Sequence, residues 1–354
     1  MPADKPIRWG ILSTANIAAN AFIPAARRTQ GAELVAVASR DPQKAADFAG
    51  AHQIPLALEG YQALLDNDTV DAVYNPLPNS LHAEWTLKAA AAGKHVFCEK
   101  PLATTAADAA AMVDACRDAG VLLFEAFVFL HHPQSKRLLD LVRGGSIGKL
   151  RHIDAAMTFK IDDPSNIHLV KSLGGGSIYD GGVYPIAFSR FIAGADPLSV
   201  QAVVRFDPKS GVDVWSSLLL EYPDGVTSTL YSGFEGGGGP HALLTGDQGK
   251  LVVPSPYHPP GRSRIDLVSN RPPASGNPAS QLVQKCVAVL RGPTRTQTER
   301  INTGSPPFQP AIHFFQECVR QRQAPTYMAD HAIGTLKVVE AAFQSAKTGQ
   351  RITL

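Results

Sequence analysis

Ile7-Arg8-Trp9-Gly10-Ile11-Leu12-Ser13-Thr14-Ala15-Asn16-Ile17-Ala18 is the stretch on which the fold turns. Its first half is short and mostly apolar, the pattern of a strand buried on both faces of a parallel sheet. Its second half is small or polar and leads into a helical pattern. A dinucleotide fingerprint reads G-x-G-x-x-G at such a junction, whereas this chain reads S-x-A-x-x-A. Small side chains still permit a tight turn and close approach of backbone N–H groups to a pyrophosphate at the helix N-terminus. Taken alone, the stretch reads equally well as an ordinary strand–turn–helix.

Working outward, Leu34–Ala38, Val70–Tyr74, His95–Cys98 and Val121–Phe124 repeat the short apolar run. Helical patterns lie between them. Asn79 or Ser80 is placed to cap one that ends at Gly93, and Thr105 with Asp108 resembles a capping box for another that ends at Gly120. This alternation predicts a doubly wound α/β domain over residues 1–125. Longer strands follow at Arg151–Phe159, Val200–Phe206, Val212–Glu221, Val226–Phe234 and His241–Val253. Tyr222-Pro223-Asp224-Gly225 is a turn because Pro presets φ and Gly accepts φ > 0. Gly246-Asp247-Gln248-Gly249 is a second hairpin turn. Val212, Val214, Ser216, Leu218 and Leu220 alternate onto one covered face. Pro254–Pro278 reads as an irregular excursion around strand-like Ile265–Val268, and Ala311–Arg320 and His331–Lys347 as helices. Residues 126–354 are therefore expected to form an α+β domain with a largely antiparallel sheet.

Composition fits two domains: 354 residues, 44% hydrophobic and 18% charged, enough to fill cores and against disorder. A net charge of +2 without a basic block points away from nucleic acid and membrane surfaces. The N-terminus lacks the apolar run of a secretory signal. The most apolar stretch, Val121–Leu130, is too short to span a bilayer and contains Glu125. Cys98, Cys116, Cys286 and Cys318 are scattered without metal-site spacing and read as reduced thiols. A cytoplasmic location is expected.

The chemistry-bearing residues lie at strand ends. An NAD-specific site usually places Asp or Glu after the second strand; here that strand ends in Ser39-Arg40. Arg40 can stack on adenine and pair with a 2′-phosphate, Ser39 can hydrogen-bond to it, and Lys44 adds charge one turn on. NADP is therefore expected; Asp41, able to face a ribose, leaves NAD open with lower affinity. Asn75-Pro76-Leu77-Pro78-Asn79 is a loop stiffened by two prolines that offers Asn75 to a cofactor and leads to His82. Glu99-Lys100-Pro101 follows the strand ending at Cys98, where α/β sheets bind ligands. Asp180 and Tyr184, four apart, share a helix face. Gly181 and Gly182 between them cost about 1 kcal/mol each relative to Ala in a helix. Pro185 disfavours helical dihedrals at Tyr184. Such rule-breaking is expected where backbone approaches a ligand, or in a kinked packing helix.

Ser13–Ala18 after a strand, Glu99-Lys100-Pro101 and Asp180-x-Gly182-x-Tyr184, in this order, resemble the glucose–fructose oxidoreductase/inositol dehydrogenase/rhizopine catabolism (Gfo/Idh/MocA) family. The likeness runs from about Ile7 to the C-terminal helix. Tyr184, Glu125-Ala126-Phe127 and His132-Pro133-Gln134 place it nearest the branch of NADP-dependent D-xylose dehydrogenases, dimeric dihydrodiol dehydrogenases and glucose–fructose oxidoreductase. The resemblance implies a Rossmann domain, a second domain with an open-faced sheet, and an active site between them. It implies hydride transfer between a sugar or polyhydroxylated small molecule and NADP, foremost aldose 1-dehydrogenation to a lactone. Other readings are dihydrodiol oxidation, sugar–sugar exchange with tightly held NADP, and a non-enzymatic NADP sensor. Tyr184 would be the general base, Lys100 its positive neighbour, and Asp180 an orienting group. Expected cofactor contacts are Ser13, Thr14, Ala15, Asn16, Ile17, Ser39, Arg40, Lys44, Asn75, Leu77, Pro78, Asn79, His82, Glu99 and Lys100. Trp215, Leu219 and Tyr231 are expected on a sheet face that pairs two chains into a homodimer. Leu130 stands where the branch often has Arg, and Asn166-Ile167-His168 where it has Asn-x-Arg, which leaves the substrate open.

Overall fold

Short apolar runs with small loops between them give an all-parallel sheet: β1 (Ile7–Leu12), β2 (Ala32–Ser39), β3 (Leu56–Glu59), β4 (Ala72–Asn75), β5 (His95–Cys98) and β6 (Leu123–Glu125). The order is β3-β2-β1-β4-β5-β6, so the direction of winding reverses between β1 and β4. A crevice opens beyond the carboxyl ends of strands at such a switch point. The computed structural model describes residues 5–269, 295–323 and 326–354. The sequence pattern missed β3, a four-residue strand, Leu-Ala-Leu-Glu, that follows Pro55 and lies largely exposed at the sheet edge. Helices α1 (Ile23–Arg28), α2 (Pro42–Ala51), α3 (Tyr61–Leu65), α4 (His82–Ala91) and α5 (Ala106–Asp118) cross between strands. Thr105 caps α5 by accepting from the Asp108 N–H at 3.0 Å. The cap expected of Asn79 or Ser80 is not formed: a 3₁₀ turn, Asn79–Leu81, precedes α4, which has no side-chain cap. Asn79 is used elsewhere, its side-chain amide donating to the Gly174 carbonyl.

After α6 (Pro133–Arg143) come β7 (Leu150–Thr158), α7 (Val183–Ala193), β8 (Ser199–Phe206), β9 (Asp213–Glu221), β10 (Thr227–Gly233), β11 (His241–Gly246), β12 (Gly249–Val253), β13 (Arg262–Ser269) and β14 (Arg295–Asn302). The chain ends with α8 (Phe308–Gln321), α9 (Thr326–Thr348) and β15 (Ile352–Thr353). Among the described residues the second sheet has the order β14-β13-β12-β11-β7-β10-β9-β8-β15. Only the β7–β10 pair is parallel there. Pro223-Asp224-Gly225 joins β9 to β10 with Asp224 and Gly225 both at positive φ. Asp247-Gln248 joins β11 to β12 as an antiparallel pair. Ile265–Val268 lies in β13; residues 270–278 of the expected excursion, Cys286 and residues 1–4 lie outside the described part. Cys98, Cys116 and Cys318 are buried free thiols.

Val214, Ser216, Leu218 and Leu220 of β9 are buried; Leu218 and Leu220 share a core with residues of α7 and α9, and Val214 packs with Val212 and Phe234. The opposite face carries Val203, 75% exposed, and Leu219, 50% exposed, beside the stacked rings of Trp215 and Tyr231. Helix α8 returns to the first domain: Phe308, Ile312 and Phe315 join the core of Trp9, Phe22 and Phe97, with Phe315 and Trp9 centroids 4.9 Å apart. A division at residue 125 thus follows the chain but not the packing of this helix. Helix α9 ties the domains again, Glu340 accepting from the Ala106 N–H at 2.8 Å. Among the described residues no helix is long and apolar enough to cross a membrane.

Candidate active site

At the end of β1 the chain turns sharply. Ser13 adopts φ 97°, in the left-handed region that favours glycine. A serine held there costs about 1–3 kcal/mol. The turn is pinned where Ser13 N–H donates to the Ala38 carbonyl at 2.9 Å, while the buried Ser13 hydroxyl has no protein partner among the described residues. Helix follows from Asn16 and widens into a π turn at Ala18–Phe22, just before Pro24, which has no N–H to donate. The backbone at Ser13 thus takes a conformation that favours glycine, and Asn16 and Ile17, where the helix starts, line the crevice. At the end of β2, Ser39 is buried and its hydroxyl accepts from the Asp41 N–H. Asp41 itself caps α2, accepting from the Lys44 N–H at 3.1 Å. Arg40 and Lys44 are exposed, and among the described residues neither side chain has an ion-pair partner.

A cleft of about 590 Å³ runs from this turn into the space between the domains. Thr14, Ala15, Asn16 and Ile17 form one end; Leu77, Pro78, Asn79 and Glu99 form a wall; Lys100, Asp180 and Tyr184 form the floor. Lys100 Nζ lies 3.0 Å from Asp180 Oδ1, 2.9 Å from the Asp180 carbonyl and 4.8 Å from the centre of the Tyr184 ring. Burial opposes the Lys100 charge, but Asp180, Tyr184 and Glu99 outweigh it and raise the ammonium pKa. Burial likewise pushes Asp180 up, and Lys100 and His168 overcome it, leaving a carboxylate held below its usual range. His168 Nδ1 stands 3.6 Å from Asp180 Oδ2.

Tyr184 is only 6% exposed, packed against Phe127 and Tyr257. Burial raises its pKa, and Glu99 and Asp180 add to this; Lys100 pulls the other way without cancelling it. The phenol is therefore protonated in the free chain. Its Oη is 3.1 Å from His258 Nε2.

Asp180 and Tyr184 reach the cleft from one continuous helix whose first turn, Ile178–Gly182, is π-helical and runs directly into α7. Pro185 is accommodated because the widened turn absorbs the hydrogen bond it cannot make. The two glycines face the sheet, which corrects the expectation that they admit a ligand. A Cβ on Gly182 would lie 2.9 Å from Ser232 Oγ, and one on Gly181 3.3 Å from the Met157 carbonyl. Gly174 does serve the cleft. It sits at φ 76° with no room for a Cβ beside Asn79, whose Nδ2 donates to the Gly174 carbonyl at 2.9 Å and so bridges the domains.

Residues 7–127 match the oxidoreductase family with an NAD-binding Rossmann fold, and residues 135–252 match the GFO/IDH/MocA C-terminal domain. The chain is 32% identical to an NADP-dependent D-xylose 1-dehydrogenase of Haloferax volcanii over 98% of its own length and 99% of that protein. The chain belongs to the Gfo/Idh/MocA oxidoreductase family. It is also 38% identical to a dTDP-3,4-didehydro-2,6-dideoxy-α-D-glucose 3-reductase of Saccharopolyspora spinosa, over 83% of this chain and 89% of that one. The crystal structure of KijD10, a 3-ketoreductase from Actinomadura kijaniata in complex with NADP and TDP-benzene, superposes with a TM-score of 0.86 at 31% identity. It covers 96% of this chain and 98% of that one.

Not every family position that the sequence singled out reaches the cleft. Asn75 and His82 are fully buried behind its wall, and the direct cofactor contacts expected of them are corrected. Asn75 Nδ2 donates to the His82 carbonyl and Thr86 Oγ1, both at 3.4 Å. The two ring nitrogens of His82 lie 2.8 and 2.7 Å from the Pro101 and Leu77 carbonyls, and the single N–H of the neutral ring donates to one of them. Burial outweighs those two acceptors and lowers its pKa to about 4. These side chains hold the Leu77–Asn79 loop and the Lys100–Pro101 segment in place. Three residues with a part in the site were missed. Tyr74 donates to Glu99 Oε1 at 2.6 Å, and Glu125 anchors the Leu102 N–H at 2.8 Å with its pKa pushed up by burial to about 7. His258 is the third: no pattern marks a lone histidine in a proline-rich segment.

Proposed function

We propose that the chain is an NADP-dependent oxidoreductase that moves a hydride between a sugar or other polyhydroxylated small molecule and nicotinamide, foremost as an aldose 1-dehydrogenase. The observation that carries this reading is the Lys100–Asp180–Tyr184 cluster on the floor of a cleft that begins at the dinucleotide turn. The residues present fit NADP. The Ser13–Ile17 turn has a glycine-like backbone and an unpartnered buried hydroxyl. Arg40 and Lys44 are exposed at the end of β2 with no ion-pair partner among the described residues, suited to a 2′-phosphate, while Asp41 is occupied as a helix cap. When bound, NADP supplies the hydride acceptor. Lys100, fixed by Asp180, presents positive charge where a substrate oxygen becomes anionic. Tyr184 holds the proton exchanged with that oxygen.

A second reading is favoured by the protonated Tyr184: a buried neutral phenol is a ready acid for reducing a ketone, the direction named for the 3-reductases. A panel of pentoses, hexoses, trans-dihydrodiols and a nucleotide-linked keto sugar, followed by NADPH absorbance, separates these. Pyranose-dependent NADPH formation is expected. Oxidation of NADPH by the keto sugar alone selects the second reading. NADP binding without turnover on any compound leaves a sensor. The exposed face with Val203, Leu219, Trp215 and Tyr231 supports a homodimer joined through the second sheet.

A further inference from the structure

Tyr184 has its back to the protein and almost no surface of its own. A phenol that already carries its proton cannot take a second one from a substrate hydroxyl unless the first leaves in the same event. Only one route for that proton is built into the described residues. His258 Nε2 lies 3.1 Å from Tyr184 Oη, and His258 is an exposed residue that lines the cleft. The ring stands edge-on to Tyr184, with centroids 5.0 Å apart. Nδ1 of His258 has no protein partner among the described residues and so is free to bond to water. Lys100 is the other polar group beside the phenol, but its ammonium is saturated with protons and bonded to Asp180. Protein packed round the inner side of His258, together with Lys100, lowers the imidazole pKa and keeps the ring neutral. A neutral ring with its hydrogen on Nδ1 is the form that can accept at Nε2.

We propose that His258 is a proton relay that connects Tyr184 to solvent. This rests on the oxidoreductase reading above. In the oxidative direction the substrate O–H proton passes to Tyr184 Oη. The Tyr184 proton passes to His258 Nε2, and the Nδ1 proton passes to water. The substrate C–H electron pair leaves as hydride to NADP as the C=O bond forms, so protons and electrons balance. In reduction the same chain runs backwards and re-protonates Tyr184. His258 acts through Tyr184 and does not itself touch the reacting carbon.

The test uses His258→Ala and His258→Gln in the full chain with NADP and the best substrate from the panel. His258→Ala should lower turnover by about 10²-fold, at the lower end of what positioned acid–base groups contribute, with NADP affinity unchanged. Added imidazole should restore it, the rate rising with the basicity of substituted imidazoles. His258→Gln keeps an acceptor near Tyr184 but cannot relay, and should stay slow. In the free chain, nitrogen NMR of labelled histidine should show His258 with its proton on Nδ1, and that signal should shift on Tyr184→Phe. Wild-type turnover in His258→Ala, full activity in His258→Gln, or a defect that imidazole leaves untouched would each overturn the relay while the oxidoreductase reading stands. A wild-type chain that turns over nothing on the panel overturns both.

Discussion

Replacing Lys100 with Met strands the carboxylate of Asp180. The two side chains are 12% and 13% exposed and meet at 3.0 Å, so solvent screens them little. Removing one member of a buried pair costs about 3 kcal/mol, at the low end because some exposure remains. His168, 3.6 Å from the second Asp180 oxygen, can recover part of this by taking a proton. The pH dependence follows from the directions of the shifts. Asp180 has a folded pKa below its unfolded value, so its contribution is present above about pH 4 and is lost as pH falls through the folded pKa. Lys100 has a folded pKa above its unfolded value, so its contribution is present below about pH 10 and is lost only as pH rises through the folded pKa. Between about pH 5 and 8 the wild-type pair therefore contributes a constant amount. In the variant, burial of Asp180 is no longer offset and its pKa rises above the unfolded value. The penalty then grows with pH and is relieved in acid. For 354 residues at about 2 cal/mol/K each, a loss of about 3 kcal/mol lowers the melting temperature by about 4 °C. Paired melting curves of wild type and variant should show that gap at about pH 8 and a smaller one at about pH 5. The difference cancels titrations common to both chains. An equal gap at both pH values would refute the reasoning, because it would mean that Asp180 is not stranded.

Arg40→Asp should weaken NADP by roughly 1.5–3 kcal/mol, the size of a charge-assisted phosphate contact, and NAD much less; an unchanged NADP/NAD preference in a fluorescence titration removes Arg40 from the phosphate site. Tyr184→Phe keeps the ring packed on Phe127 and Tyr257 but should lower turnover by about 10²–10⁴-fold with NADP affinity unchanged. Wild-type turnover in that variant would move the proton-carrying role to Asp180 or His168. Sedimentation at micromolar concentration should give a dimer, and a charged residue at Leu219 should shift it towards monomer; a wild-type monomer contradicts pairing through this face.

Much of the site was readable as positions along the chain, less of it as contacts. Ser13–Ile17, Glu99 and Lys100 border the cleft or its turn, as strand-end logic places them, and Asp180 and Tyr184, read as one helix face, join them there. The same logic put Asn75 and His82 there, yet both turn inward. A loop's residues can be located from the strand before it, but which side chain faces out depends on what packs behind the loop. Here that is Thr86 and the Pro101 carbonyl. Asn79 was readable as a helix cap from its neighbours alone; its amide instead reaches Gly174 across the domain interface, 95 residues away.

The sequence by itself determined the elements: period-two alternation set the buried face of β9, Thr105 set the start of α5, and Pro223-Asp224-Gly225 set the β9–β10 turn. These depend on residues within a few positions of one another, and their physics is local sterics and short-range hydrogen bonding. Tertiary structure alone decided the electrostatics. Lys100 meets Asp180 across 80 residues, and Tyr184 meets His258 across 74. The Tyr184 pKa rises because Phe127, Phe129 and Tyr257 pack round the ring and exclude water, a desolvation that no spacing in the chain encodes.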